Sequence, residues 1–253
     1  MAEARTEEVV AWLDGYLRID QVPDYPMALN GLQMENRGRV RRIAAAVDAS
    51  ERAIRTAQER GCDLLLVHHG LFWDGNQPVT GRRYRKLARL LEHDIAVYSA
   101  HLPLDVHPEC GNNVLLARAI DMEPTGWFGN YGGSPVGCWG ELEVKREVLT
   151  ARLDDVLGGR VRVVAGGPEI VRRVGVVTGG GGGMIAAALA AGLDALVTGE
   201  GAHHTYFDAE EGGINVYFGG HYATETFGVR ALAERVGERF ALPWEFLDLP
   251  TGT

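Results

Sequence analysis

One pattern occurs twice along this chain, and the repetition restricts the folds open to it. Arg42 to Gly61 and Arg173 to Gly192 have the same length. Each opens with Arg and a β-branched residue and closes in Gly before an Asp-containing apolar stretch, "GCDLLLVHHG" in the first and "GLDALVTGEG" in the second. On that constant offset Ile54 falls on Ile185, Asp63 on Asp194, and His68-His69 on Gly199-Glu200. The runs that follow, "IAVYSAH" (95 to 101) and "INVYFGGH" (214 to 221), also correspond, the second being one residue longer. Strand, helix and strand in this order are βαβ units on parallel sheets. Gly-x-Asp-apolar joints recur by chance in such units, but three matched elements in order favour duplication.

The remaining pattern predicts an α/β protein of two related α/β domains, with mixed, largely parallel sheets flanked by helices. A helix is expected from about Thr6 to Leu17, with Thr6 as N-cap and an acidic first turn in Glu7 and Glu8. "RIAAAV" (42 to 47) reads as a strand, "SERAIRTAQER" (50 to 60) as an amphipathic helix, and "DLLLV" (63 to 67) as a buried strand that delivers His68 and His69. "RRYRKLARLLEH" (82 to 93) is the next helix. The first half is expected to span 1–125, completed by the C-terminal helix and strand of about 222–253, and the second half 126–221. The glycine- and aromatic-rich stretch 123–143 is expected to join them, and 248–253 to be a short polar tail.

Composition removes several function classes. No apolar run approaches the roughly 18 residues of a membrane span. The first residues, "MAEARTEE", lack a basic n-region and an apolar h-region, so the expected location is cytoplasmic. Cys62, Cys110 and Cys138 are odd in number and show no C-x-x-C spacing, which argues against a disulfide framework and a thiolate zinc site. Any metal must use His and carboxylate. A formal charge of −9 without a large Lys/Arg cluster argues against a nucleic-acid groove.

Ligands of open α/β sheets gather at the carboxyl ends of strands. Four such ends, "VHHG" (67 to 70), "SAHLPLD" (99 to 105), "TGEGAHH" (198 to 204) and "GGHYATE" (219 to 225), hold seven of the eight histidines once His107 is counted, with Asp105, Glu200 and Glu225. In a helix starting near His221, residues 221 and 225 share a face with Cβ atoms roughly 5–6 Å apart, within reach of one metal. A plain His–Glu contact at a helix start has the same spacing. For His68 and His69 the alternatives are one packed and one solvated imidazole, or ligands to two ions about 3.5–4 Å apart, with Gly70 releasing the backbone from strand alternation. Asp105, beyond Pro103, is either an oxygen donor or a turn residue, and His101 shares its loop. The run Gly179 to Gly183 lacks the Lys-Ser/Thr of a Walker A loop, so close packing is favoured over contact with an anion.

These residues resemble a known family. "ALNGLQMEN" (28 to 36), "DLLLVHHGLFW", "HLPLDVHPECGNNVLLA", "DALVTGE" and "GGHYATETFGVRAL" are similar to the Nif-three-like dinuclear metal centre proteins, known also as GTP cyclohydrolase type 2 homologues. The resemblance runs from the first helix nearly to the end. It implies a toroidal homohexamer of two-domain subunits, each holding two divalent metals in a cleft between its domains. His68 and His69 are implied as ligands to separate ions, Asp105 as ligand to one, His221 to the other, and Glu225 as the bridge. Glu200, His101 and His204 are implied as substrate-facing or supporting groups, His204 being variable among relatives. The domain that larger members insert between the halves has no room in 253 residues.

Two functions follow as expectations. The first is a metal-dependent hydrolase acting on a small, nucleotide-like substrate, with Zn, Fe, Mn, Co or Ni compatible with mixed His and carboxylate ligands. The second is a metal-binding scaffold or interaction protein without turnover. No membrane partner is expected.

Overall fold

Aspartates at matched positions of the two repeats make the same backbone contacts in the computed structural model, which describes residues 2–252. The Asp63 N–H donates to Arg42 O at 2.9 Å, and its carboxylate accepts from Arg41 N at 2.8 Å. The Asp194 N–H donates to Arg173 O at 2.9 Å, and its carboxylate accepts from Arg172 N at 2.8 Å. Before each aspartate the helix ends in a left-handed glycine, Gly61 at φ +66° and Gly192 at φ +68°, a conformation that glycine adopts without steric cost. Both repeats then close in the same way, Ala100 N donating to Val67 O and Gly219 N to Thr198 O.

The chain divides into two compact units. The first runs through Leu104 and takes in Gly228–Leu249, and the second is Asp105–Phe227 with the tail from Pro250. The first opens with β1 (Ala4–Arg5), α1 (Thr6–Leu17), β2 (Gly31–Met34) and β3 (Arg39–Val40). The repeat follows as β4 (Ile43–Asp48), α2 (Glu51–Glu59), β5 (Leu64–His69), α3 (Gly81–Glu92) and β6 (Ala96–Ser99). α4 (Leu102–Asp105) leads into the second unit, where α5 (Asn112–Ala119), β7 (Gly126–Phe128), β8 (Gly137–Lys145), α6 (Arg146–Leu157) and β9 (Arg162–Ala165) come first. Its repeat is β10 (Ile170–Val177), a 3-10 turn (Gly181–Met184), α7 (Ile185–Ala190), β11 (Ala195–Thr198), α8 (Thr205–Gly212) and β12 (Asn215–Phe218). α9 (His221–Thr224) and α10 (Thr226–Phe240) then return the chain to the first unit, which β13 (Trp244–Phe246) completes.

Both sheets are mixed and flanked by helices. In the first unit the order is β13-β4-β5-β6-β2, parallel except for β2. Ala44, Ala46, Leu65, Val67 and Val97 face a core with Ala53, Ile54 and Ala57 of α2 and Leu90 of α3. The intervening Ala45, Leu64, Leu66 and Tyr98 are equally buried, and the Tyr98 hydroxyl donates to Asp14 of α1 at 2.8 Å. Strands buried on both faces read as unbroken apolar runs, which is why "LLLV" shows no alternation.

The second sheet, β7-β8-β10-β11-β12-β9, has its parallel strands at the centre and antiparallel ones on both sides. Val174, Val176, Ala195, Val197 and Tyr217 pack with Leu116 of α5 and Leu149 and Leu153 of α6. Their neighbours Val177, Leu196, Val216 and Phe218 pack with Ile185 and Ala188 of α7 and Ala209 of α8. Each fully buried Val, Leu, Ile or Phe contributes roughly 1.5–3 kcal/mol, so two such faces hold each sheet firmly.

Two expectations change. The boundary expected near 123–143 lies inside the second unit, because α5 packs on that unit's sheet and the stretch 123–143 forms β7 and the start of β8. Its glycines serve close packing: a Cβ at Gly137 would stand 2.6 Å from Phe128 and Val177 side-chain atoms. Thr6 is the first helical residue and not the N-cap, and its hydroxyl lies 2.6 Å from Asn36 Oδ1. Among the described residues no helix is long and apolar enough to cross a membrane.

Candidate functional site

The carboxyl ends of β5 and β6 bring three imidazoles together in the first unit. One ligand nitrogen from each of His68, His69 and His101 lies within 4.8 Å of the others. His68 continues the buried Leu64/Leu66 face and is fully enclosed, whereas 20% of the His69 side chain is exposed. Even so, the two rings lie 4.7 Å apart, centre to centre. Strand alternation survives to the end of β5, since His69 still pairs with Asp48 across the ladder. Gly70 has a different task from the one its backbone freedom implies: a Cβ there would collide with the Gln33 amide. That amide accepts from Leu71 N at 2.6 Å and donates to Ala28 O and Leu29 O at 2.9 Å, holding the turn beyond the histidines.

Each ring is oriented through Nδ1. His68 Nδ1 is 2.9 Å from Ala100 O, His69 Nδ1 2.9 Å from Asp48, and His101 Nδ1 2.9 Å from Asp24. A carbonyl or carboxylate can only accept, so Nδ1 carries hydrogen and Nε2 holds the lone pair of the neutral ring. Acceptors placed behind imidazoles in this way are the usual support of metal-binding histidines. Asp24 is itself anchored, accepting from Asn30 Nδ2 and Leu102 N at 2.8 Å. Burial works to raise the Asp24 pKa, but the His101 contact, Asn30 and Leu102 outweigh it and hold the carboxyl below its ordinary value. Trp73 stands edge-on to His101 and His69, and its buried indole N–H has no protein acceptor among the described residues.

The second unit gathers the carboxylates. α9 begins at His221 after Gly220 at φ +93°, and α10 starts only at Thr226, so Glu225 sits at a break between two helices and not within one. His221 Nε2 lies 3.2 Å from Glu225 and Nδ1 2.8 Å from Glu200. The Glu225 hydrogen bond, opposed by burial and supported by Glu200, pushes the His221 pKa up to about 9. Asp105, at the end of α4, is buried and accepts from Asn112 Nδ2 at 2.8 Å, with the Thr178 hydroxyl at 3.3 Å. Of the other histidines, His204 is largely exposed beside Asp208, and His107 Nδ1 accepts from Cys110 N in a turn. Neither joins a cluster of potential ligands among the described residues.

The glycine run explains how Glu225 fits. Gly179 adopts φ +63°, and a Cβ there would strike the Glu225 carboxylate and stand 3.2 Å from His221 Nε2. Gly181 and Gly182 pack against Thr198 and Gly201, where a Cβ would come within 2.7 and 2.5 Å. Asp24, Asn30, Asp48 and Gln33 escaped the sequence reading as supporting groups. Only Asp48 carried a signal, as the carboxyl end of a fifth strand, β4.

Gly179→Ala is expected to cost at least roughly 2 kcal/mol, from the left-handed backbone and the displaced carboxylate. Gly183→Ala, four residues on in open space, should stay within about 0.5 kcal/mol. Urea unfolding of the two variants makes the comparison. For His221 the raised pKa sets the sign of a pH effect in metal-free protein. Stabilisation by its two carboxylates is complete below the ordinary value of 6.5 and is lost as pH rises through about 9. Melting curves of metal-free wild type should therefore fall relative to His221→Gln across that interval; a constant difference would contradict the pairing.

The Duf34/NIF3 (NGG1p interacting factor 3) family model matches residues 4–251. A Deinococcus radiodurans protein named "GTP cyclohydrolase 1 type 2 homolog" is 46% identical, covering 99% of this chain and 95% of its own. One of the same name from Archaeoglobus fulgidus is 41% identical over 96% and 98%. Among solved structures, the protein ybgI, described as of unknown function, superposes with a TM-score of 0.92 at 37% identity, covering 98% of this chain and all of that one. A Thermus thermophilus protein gives 0.89 at 41% identity with the same coverage. Matched along nearly its whole length in sequence and in fold, the chain belongs to the Duf34/NIF3 family.

Proposed function

We propose that this protein is a divalent-metal-dependent hydrolase of a small, nucleotide-like substrate, with His68, His69, Asp105, His221 and Glu225 as ligands to two ions. The observation that carries the proposal is the common orientation of the imidazoles. His68, His69 and His101 each donate from Nδ1 to a fixed acceptor, and a ligand nitrogen of each lies within 4.8 Å of the others. A structural histidine needs no such agreement among its neighbours. The donor set fits the group: imidazole nitrogen with carboxylate oxygen suits Zn, Fe, Mn, Co or Ni. Curated relatives bear the name GTP cyclohydrolase 1 type 2 homolog, which agrees with hydrolysis of a nucleotide-like compound.

Such ions, when bound, supply Lewis acidity for hydrolysis. The chain's own groups do the rest. Asp48 and Glu200 hold His69 and His221 with Nδ1–H directed away from the ligand nitrogen. The Glu225 carboxylate, 3% exposed, is kept in place by the space at Gly179. His221 must release the proton it shares with Glu225 before Nε2 can ligate, so metal uptake strengthens as pH rises. The rings of Trp73 and Tyr25 pack against His101. The proposal includes assembly as a homohexamer and a cytoplasmic location.

Metal analysis of protein purified without added metal should find about two divalent ions per chain, and His69→Ala should lose at least one of them. Glu225→Gln should abolish hydrolysis in a metal-replete screen of nucleotides, phosphoesters and cyclic amides while leaving assembly intact by sedimentation. Fewer than one ion in wild type, with no change in His69→Ala, would overturn the proposal.

A further inference from the structure

The second unit contains a cavity of about 430 Å³ at the carboxyl ends of β11 and β12. Arg160, Arg162, Glu200, Phe218, Tyr222 and Pro250 are among the residues that line it. Its size lies within the range of small-molecule sites, and its position is where open α/β sheets bind ligands.

The two arginines are placed by strand geometry. Val161 between them is buried, so Arg160 and Arg162 project together from the opposite side of the extended chain that enters β9. Arg162 pairs across the ladder with Phe218, and its guanidinium carbon lies 4.3 Å from the centre of the Phe218 ring. Stacking of this kind fixes the plane of the guanidinium while its N–H donors remain directed into the cavity. Neither arginine has a carboxylate partner within 4.0 Å among the described residues, although most arginines near an acid in this chain have found one. Glu200 stands on the cavity wall, and its carboxylate accepts from His221 Nδ1.

From this arrangement we infer that the cavity is a binding site for the phosphate group of a small organic phosphate. Two guanidiniums on one side present paired donors that match phosphate oxygens. Glu200 provides an acceptor for hydroxyl or amino groups on the body of the same molecule. Identifying this ligand with the substrate rests on the hydrolase reading, because Glu200 links the cavity directly to His221. Phosphate binding itself does not depend on turnover.

The test is calorimetric titration of the full-length protein with inorganic phosphate and with phenylphosphonate, whose P–C bond resists hydrolysis; acetate is the control anion. Wild type should bind both phosphorus probes and discriminate against acetate. The Arg160→Ala/Arg162→Ala double variant should lose at least roughly ten-fold in affinity, in line with removal of charge-assisted hydrogen bonds, while still unfolding in one cooperative transition. The Arg160→Lys/Arg162→Lys variant should retain part of it, and Glu225→Gln should bind like wild type. Equal affinity in the double alanine variant would overturn the inference. So would binding that survives in that variant and vanishes in Glu225→Gln, since the anion would then sit among the metal ligands. Loss of metal or turnover in Glu225→Gln with phenylphosphonate binding intact bears on the hydrolase reading alone.

Discussion

A hydrogen bond from imidazole Nδ1 to a fixed acceptor, made four times with four different partners, is the constraint on which the candidate site depends. Ala100 O, Asp48, Asp24 and Glu200 each hold one ring. A bond to a charged acceptor contributes about 1.5–3 kcal/mol, enough to select one tautomer and one ring orientation. Remove the acceptors and the same histidines become ordinary polar groups at strand ends. The acceptors in turn depend on the sheets: Asp48 is placed by its ladder pairing with His69, and Ala100 by its own N–H on Val67 O.

The repeated βαβ unit explains why such ends exist twice and why they differ in chemistry. Asp63 and Asp194 tie the helix-to-strand joints of both repeats with the same bonds, so the strands that follow leave their sheets in equivalent ways. On that shared frame the first repeat carries His68-His69 where the second carries Gly199-Glu200. Gly199 is held there by crowding, since a Cβ would stand 2.6 Å from Gly179 O and 2.8 Å from His221 Cα. The same position of one scaffold thus carries imidazoles in the first repeat and a carboxylate in the second.

Much of this was legible in the sequence, for physical reasons that differ from residue to residue. The alternation of strands and helices was readable because local periodicity dictates it, and His221 with Glu225 because the single turn of α9 brings its first residue beside the residue that caps its end. The strand β8 was not, since Gly137 and Gly140 look like turn residues; they are there because Phe128, Val177 and Met122 leave no room for a side chain. Asp24 was equally hidden: it lies 77 residues from His101 and is joined to it only by the fold. Gly70 and Gly179 were recognisable as important glycines, but their service to Gln33 and Glu225 is steric and requires coordinates to see.

The tautomer of the three clustered imidazoles tests the central claim most directly. Nitrogen NMR of histidine-labelled, metal-free protein at alkaline pH should show Nδ1 protonated and Nε2 bare in His68, His69 and His101, with the Nε2 resonances of His68 and His69 moving on addition of Zn. Rings protonated at Nε2, or an exchanging mixture of tautomers in all three, would contradict an orientation set by Ala100, Asp48 and Asp24.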